Sequence, residues 1–275
     1  MAAPFIMFDN LFEDGTLTVN QTAELEQPVS NLTDWRISTP HRWHSDSTAT
    51  NVNIDCDLGG STQTSNCGIF SGHNISTSIL SLATGGYSWQ YSDDDITYPS
   101  LHTQKWTSTD LPEATVWTTT SARRYWRLRL RDTGAFQVAP QIGHAIIGNK
   151  LEFSELLQPT FSAYDVSIDS DESVSENGDL VGSNINRVEK ILDLSWDSPG
   201  LTETDFFNPA SGLTFDGDFV THAVDNGKPF YFVWDIDEDA TGVWICTVRG
   251  FESPHVDTTA RRRLFMRCHA WREVA

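Results

Sequence analysis

Apolar and polar residues along the chain alternate in short runs rather than at helical spacing. Asn51–Asp57 places Val52, Ile54 and Cys56 on one face, continued by Leu58, and polar residues on the other. Tyr125–Arg131 places Trp126, Leu128 and Leu130 on one face and Tyr125, Arg127, Arg129 and Arg131 on the other. Period-two alternation of this kind predicts half-buried β-strands. Similar runs predict strands at Ser78–Ala83, Tyr87–Ser92, Thr115–Thr119, Ile142–Ile147, Tyr164–Ile168, Val188–Leu194, Phe230–Asp235, Val243–Val248 and Leu264–Trp271. Gly, Pro, Asn, Asp and Ser/Thr clusters divide them, which predicts an all-β chain. Leu25–Leu32 and Glu203–Asn208 are the two short helix candidates. The acidic run Asp169–Asp179 predicts a solvated loop turning at Asn177-Gly178.

The strand style changes near Glu155–Thr160, beside Pro159. The expected organisation is therefore one β-domain over residues 1–155 and a second, smaller β-rich domain over 156–275.

Several segments of the first half follow a recognisable order. They are a strand ending in Ile54, Asp57, Leu58 and Gly59; a turn of Gly72, His73 and Asn74; a hairpin with Gly86 and Trp89; and the strand entry Arg124, Tyr125, Trp126 and Arg127. Together they resemble the galactose-binding-like, or discoidin-like, jelly-roll β-sandwich over about residues 10–153. The overall style, with an acidic second half, also resembles minor tail proteins of long-tailed bacteriophages. That resemblance implies a structural subunit of a tail tip or baseplate, assembled in the host cytoplasm, in the virion with other tail proteins and copies of itself in a ring. The sandwich resemblance implies an alternative, a carbohydrate-binding module or a host-receptor-binding tail protein that takes a surface glycan.

Charge narrows the choice. With 18 cationic against 38 anionic side chains the net charge is −20, which disfavours the phosphate backbone of a nucleic acid as partner. Against that background Arg123, Arg124, Arg127, Arg129 and Arg131 form a cationic stripe. They are expected to meet carboxylates of a neighbouring subunit, together with Arg267 and Trp271 on the last strand. Phe265 and Trp271 could instead cap the second core from outside. Under the carbohydrate alternative, Trp35, Trp43, His44, Trp89 and Trp106 are the expected ligand-loop residues.

No nucleophile elbow, phosphate loop, zinc-protease helix or dinucleotide fingerprint occurs, so no enzyme and no cofactor is expected. Ser71 and His73 are too readily explained by a turn ordered through Asn74 to count as a catalytic couple. The aspartates at 93–95 and the acids at 235–239 lack calcium-loop spacing and read as solvated turns, so no metal is expected. Cys56, Cys67, Cys246 and Cys268 form no CxxC pair and are expected to be reduced. The opening MAAPFIMFDNLFEDG lacks the basic and apolar regions of a secretory signal.

Overall fold

A computed structural model describes residues 4–20, 27–38, 41–45, 50–75, 85–105, 112–132, 134–152, 166–174, 180–198, 213–234, 242–256 and 262–271. It is all-β apart from short helical segments, and every strand pairing among the larger sheets is antiparallel.

Two sheets build the jelly-roll sandwich. The five-stranded sheet runs, in spatial order, Thr16–Val19, Asn51–Asp57, Tyr125–Arg131, Gly86–Ser92 and Ser100–Lys105. The three-stranded sheet is His144–Gly148, Cys67–Ser71 and Glu113–Val116. The period-two reading holds residue by residue. Val52, Ile54, Trp126, Leu128 and Leu130 are fully buried, while Arg127 and Arg129 are partly exposed and Arg131 is exposed. Trp89 crosses the sandwich onto Gly68, where any Cβ would come within 2.5 Å of the indole.

Cys67–Ser71 and His144–Gly148 are buried along their whole length, because the three-stranded sheet is covered on both faces. Ala145 and Ile147 face the five-stranded sheet. Cys67, Ile69 and Ile146 face away, onto Phe5, Met7, Tyr231, Val233 and Ile245. Those last residues belong to a seven-stranded sheet ordered Leu151–Glu152, Phe5–Met7, Phe230–Val233, Val243–Val256, Arg262–Trp271, Leu180–Ser198 and Val166–Val174. Its far side packs Ile6, Phe230, Phe232 and Trp244 against Phe215, Phe219 and Ala223 of a π-helix, Phe215–Asp225. The layers thus stack as sheet, sheet, sheet and helix.

This arrangement joins the two expected domains more closely than a linker would. Phe5–Met7 and Leu151–Glu152, from the first half, are strands of the sheet that the second half completes. The expected seam at Glu155–Thr160 lies outside the described residues.

A buried polar cluster fixes the two halves against each other. The Tyr231 hydroxyl lies 2.6 Å from Ser71 Oγ and 3.0 Å from His144 Nδ1, with all three side chains buried. Trp35 stacks on the His144 ring at 3.9 Å. A phenol bonded to two groups across an apolar interface specifies one docking register, since any slip would strand three polar atoms. Tyr231→Phe is expected to cost about 1–3 kcal/mol by leaving Ser71 and His144 without their partner. Urea denaturation checks this, and a loss below roughly 0.5 kcal/mol would show the cluster to be expendable.

Elsewhere the structure corrects the sequence expectations. The acidic run from Asp169 is a strand as far as Val174, not a loop, paired antiparallel with Leu180–Arg187 at the sheet edge, with register shifts at Asp169/Ser170 and Ser173/Val174. A charged edge strand resists pairing with a further chain, so acidity and strand formation are compatible here. Residues 175–179, including the expected Asn-Gly turn, lie outside the described set, as do the Ser78–Ala83 strand and the Glu203–Asn208 helix. Residues 25 and 26 of the Leu25–Leu32 candidate lie outside the described set, and its described part forms a 3-10 turn at Val29–Thr33. Asp94 organises its own turn, Oδ1 accepting from the Ile96 and Thr97 amides at 3.0 and 2.9 Å and from Ser92 Oγ at 2.8 Å. These bonds hold its carboxyl down at about 2. The four cysteines are buried free thiols. Among the described residues no helix is long and apolar enough to cross a membrane.

Candidate functional site

An open cavity of about 340 Å³ lies between the Phe5–Met7 strand end and the π-helix. One wall is built by Asn10. Its Oδ1 accepts from the Phe12 amide at 3.0 Å and so caps the one-turn helix Leu11–Asp14, while its Nδ2 donates to the Ala145 carbonyl at 3.2 Å. The cap turns Glu13 and Asp14 toward the cavity, beside Phe8 and Asp9. Lys228 Nζ stands 3.9 Å from Glu13 Oε2, and Trp35 Nε1 donates to Glu13 Oε1 at 3.3 Å.

The opposite wall is the π-helix. Thr214 caps it, accepting from the Gly217 amide at 3.1 Å, and Asp218 Oδ2 accepts in return from the Thr214 amide at 2.6 Å and from its hydroxyl at 3.0 Å. Thr221, His222 and Asn226 follow along the same wall. His222 Nε2 is 2.8 Å from the Pro229 carbonyl and donates to it, and burial pushes the imidazole below its usual range. The ring lies 5.3 Å from that of Phe8.

Electrostatics single out Asp9. Burial, and then the neighbouring charges of Asp14, Asp218 and Glu13, raise its carboxyl from 3.8 to about 6, against the lowering effect of the Asn149 amide. Burial likewise raises Glu13, with Lys228 opposing. The cavity therefore offers carboxylates, amide and hydroxyl groups, one ammonium and two apolar side chains. That surface suits a ligand rich in hydroxyl groups, able to donate and accept at many points.

The expected site residues are distributed differently. Trp43 and Trp89 are fully buried core residues, and Trp89 Nε1 donates to Thr115 Oγ1 at 3.0 Å. Neither can offer a ring face to a ligand, because both lie in strands and alternation turns them inward. His44 pairs with Gln141 in a short ladder away from the cavity, and Trp106 lies outside the described residues. Among the described ones, Trp35 reaches the cavity wall, through Glu13.

The arginine stripe is largely satisfied within the chain. Arg124 forks onto Asp57 at 2.7 and 2.8 Å, and Arg267 forks onto Asp193 at 2.8 Å twice. Arg127 pairs with Asp55, its cross-strand neighbour, and lies 3.4 Å over the Tyr98 ring. Arg123 pairs with Asp93 and lies over Tyr91. These contacts remove the electrostatic reason for placing a neighbour's carboxylates at those four residues. Arg129 and Arg131 differ: among the described residues neither bonds a carboxylate. Trp271 is half-buried and packs against the core between the sheets, not against the outside of the second core.

No protein-family model matches the chain, and no curated protein does either. Solved structures similar to it align with about half of the chain. Chitosan-binding module 1 from a chitosanase/glucanase of Paenibacillus sp. IK-5 is 19% identical, over 51% of this chain and 98% of that one, with TM-score 0.40. The CBM32 module of AlyQ, solved with 4,5-unsaturated mannuronic acid, is 21% identical over 51% and 96%, with TM-score 0.38. A Ruminococcus gnavus GH29 fucosidase in complex with fucose is 16% identical over 52% of this chain and 27% of its own, with TM-score 0.40.

Proposed function

We propose that this protein binds a neutral, hydroxyl-rich saccharide in the cavity between Asp9–Asp14 and the π-helix. The observation that carries the reading is the lining itself, in which Asp14, Asp218, Thr221, Asn226 and Lys228 surround an open space of about 340 Å³. Such groups can each meet a sugar hydroxyl, and Phe8 and Leu213 supply limited apolar area for a ring face. The acidic balance of the lining favours neutral over anionic rings. Asp14→Ala and Lys228→Ala are each expected to weaken binding about fivefold, the worth of a hydrogen bond of roughly 1 kcal/mol. A glycan array followed by calorimetry of the best neutral sugar tests this. An array with no neutral hit, or unchanged affinity in both variants, overturns it.

Asp9 favours a second reading, hydrolysis of the bound saccharide. A carboxyl that keeps its proton up to about pH 6 beside other carboxylates is suited to protonating a glycosidic oxygen. Hydrolysis predicts new reducing ends that vanish in Asp9→Asn while binding persists; binding alone predicts none. That the binding serves a phage tail, as the sequence style implies, is a further proposal. Mass spectrometry of purified particles tests it.

A further inference from the structure

On the outer face of the five-stranded sheet, Arg129 and Arg131 occupy a setting unlike the rest of their strand. Arg127 stands opposite Asp55, but Arg129 stands between Asn53 and Ser88, and Arg131 between Asn51 and Gly86. Arg129 gives one hydrogen bond, from Nη2 to Asn51 Oδ1 at 2.8 Å. Its Nε is shielded from solvent and has no acceptor among the described residues. Burial, with the like charges of Arg131 and Arg127, pushes this guanidinium below the usual arginine range.

The small side chains opposite leave a trough. Gly86, Ser88, Ser100 and Thr103 line about 50 Å³ of space beside the two guanidiniums, and Gln90 closes one end by donating to Ser100 Oγ at 3.1 Å. The space holds one compact head group, not a sugar ring. Two cations and hydroxyl side chains converge on it, and all of them can donate to the same acceptor.

We infer that this trough binds a single oxyanion, the carboxylate or sulfate group of an acidic ligand, held by Arg129 and Arg131. In a chain of net charge −20 the two arginines supply a local reversal of sign that long-range attraction would not. The ligand can be an acidic saccharide or a free inorganic anion, since both present the same oxygens. The inference does not rest on the neutral-sugar cavity, which shares no lining residue with the trough.

Calorimetric titrations at low ionic strength with sodium sulfate, with a glucuronate disaccharide and with lactose distinguish the sources. Binding of both anions assigns the site to the oxyanion alone, and binding of the glucuronate disaccharide only assigns it to an acidic saccharide; lactose should leave the trough untouched. The double change Arg129→Gln, Arg131→Gln should abolish anion binding, at least about tenfold, while Arg124→Gln, beyond the trough, leaves it within about twofold. Ser100→Leu, which keeps both arginines and fills the space, should block binding even if the double variant is poorly folded. Wild-type protein that binds neither anion, or that binds them equally well after either trough variant, overturns the inference. So does light scattering that shows a wild-type oligomer dissociated by the double variant, for then the acceptor is a carboxylate of a second copy. Any neutral sugar bound at the other cavity should be unaffected by these variants, so the two proposals fail separately.

Discussion

Trp126→Ala is expected to lower the unfolding free energy by about 3–5 kcal/mol, the usual loss when a fully buried large aromatic is truncated. Trp126 stands between Cys56 and Tyr91 on the inner face of the five-stranded sheet, within the sandwich core that also holds Ile54, Leu128 and Trp89. The sheet is fixed on both sides of this strand, so the cavity cannot readily collapse. Its indole Nε1 has no partner among the described residues, so the loss is one of packing, not of a hydrogen bond. Trp126→Phe should accordingly cost much less, because it keeps most of the apolar contact and removes a buried donor. Arg127→Ala, one residue on and facing outward, should cost under about 1 kcal/mol, because its ion pair with Asp55 is partly solvated. Denaturant melts of the three variants check the ordering. A smaller loss at Trp126 than at Arg127 would mean that the strand faces were assigned the wrong way round.

The same strand shows how far the sequence could be read. Alternation is a local property, and it set out Val52, Ile54, Leu128 and Leu130 correctly because each side chain's face depends only on its position along a pleated backbone. Partners are not local. Nothing in YWRLRLR says that Asp55 would lie opposite Arg127, or that Arg131 would face Gly86; that follows from strand order, which joins residues far apart in the chain. Tryptophan content suggested a ligand platform, yet Trp43 and Trp89 are core, since a large ring in an alternating strand lowers its free energy most by burial. The cavity was the least legible feature. Asn10 and Glu13 have the spacing of a helix cap, and Thr214 and Asp218 nearly so, but both helix starts lie outside the two expected helix segments, Leu25–Leu32 and Glu203–Asn208. That those starts face each other depends on Phe5–Met7 pairing with Phe230–Val233, across more than 200 residues.

Asp9→Asn is expected to stabilise the protein at neutral pH, by up to about 3 kcal/mol, and to have no effect below about pH 4. The folded state raises the Asp9 carboxyl to about 6 from 3.8, so it holds the proton more tightly than the unfolded chain does. The favourable contribution of that proton is complete below about 3.8 and is lost as the pH rises through 6, at roughly 1.4 kcal/mol per unit. His144 works in the opposite direction. Complete burial lowers its imidazole to about 3, so the unfolded chain takes up a proton near 6.5 that the folded protein refuses until about 3. Its contribution is present above 6.5 and is lost as the pH falls toward 3, by about 4–5 kcal/mol in all. Between pH 4 and 6 the two slopes largely offset each other in the native protein. Removing Asp9 uncovers the His144 slope, so the variant should lose stability steadily from pH 6.5 downward, from a higher starting point. Urea melts of both proteins from pH 4 to 8 measure the difference, in which the remaining carboxylates cancel. If Asp9→Asn is destabilising at pH 8, the carboxylate is held by a favourable partner there, and neither the stabilisation nor a proton kept to about pH 6 can stand.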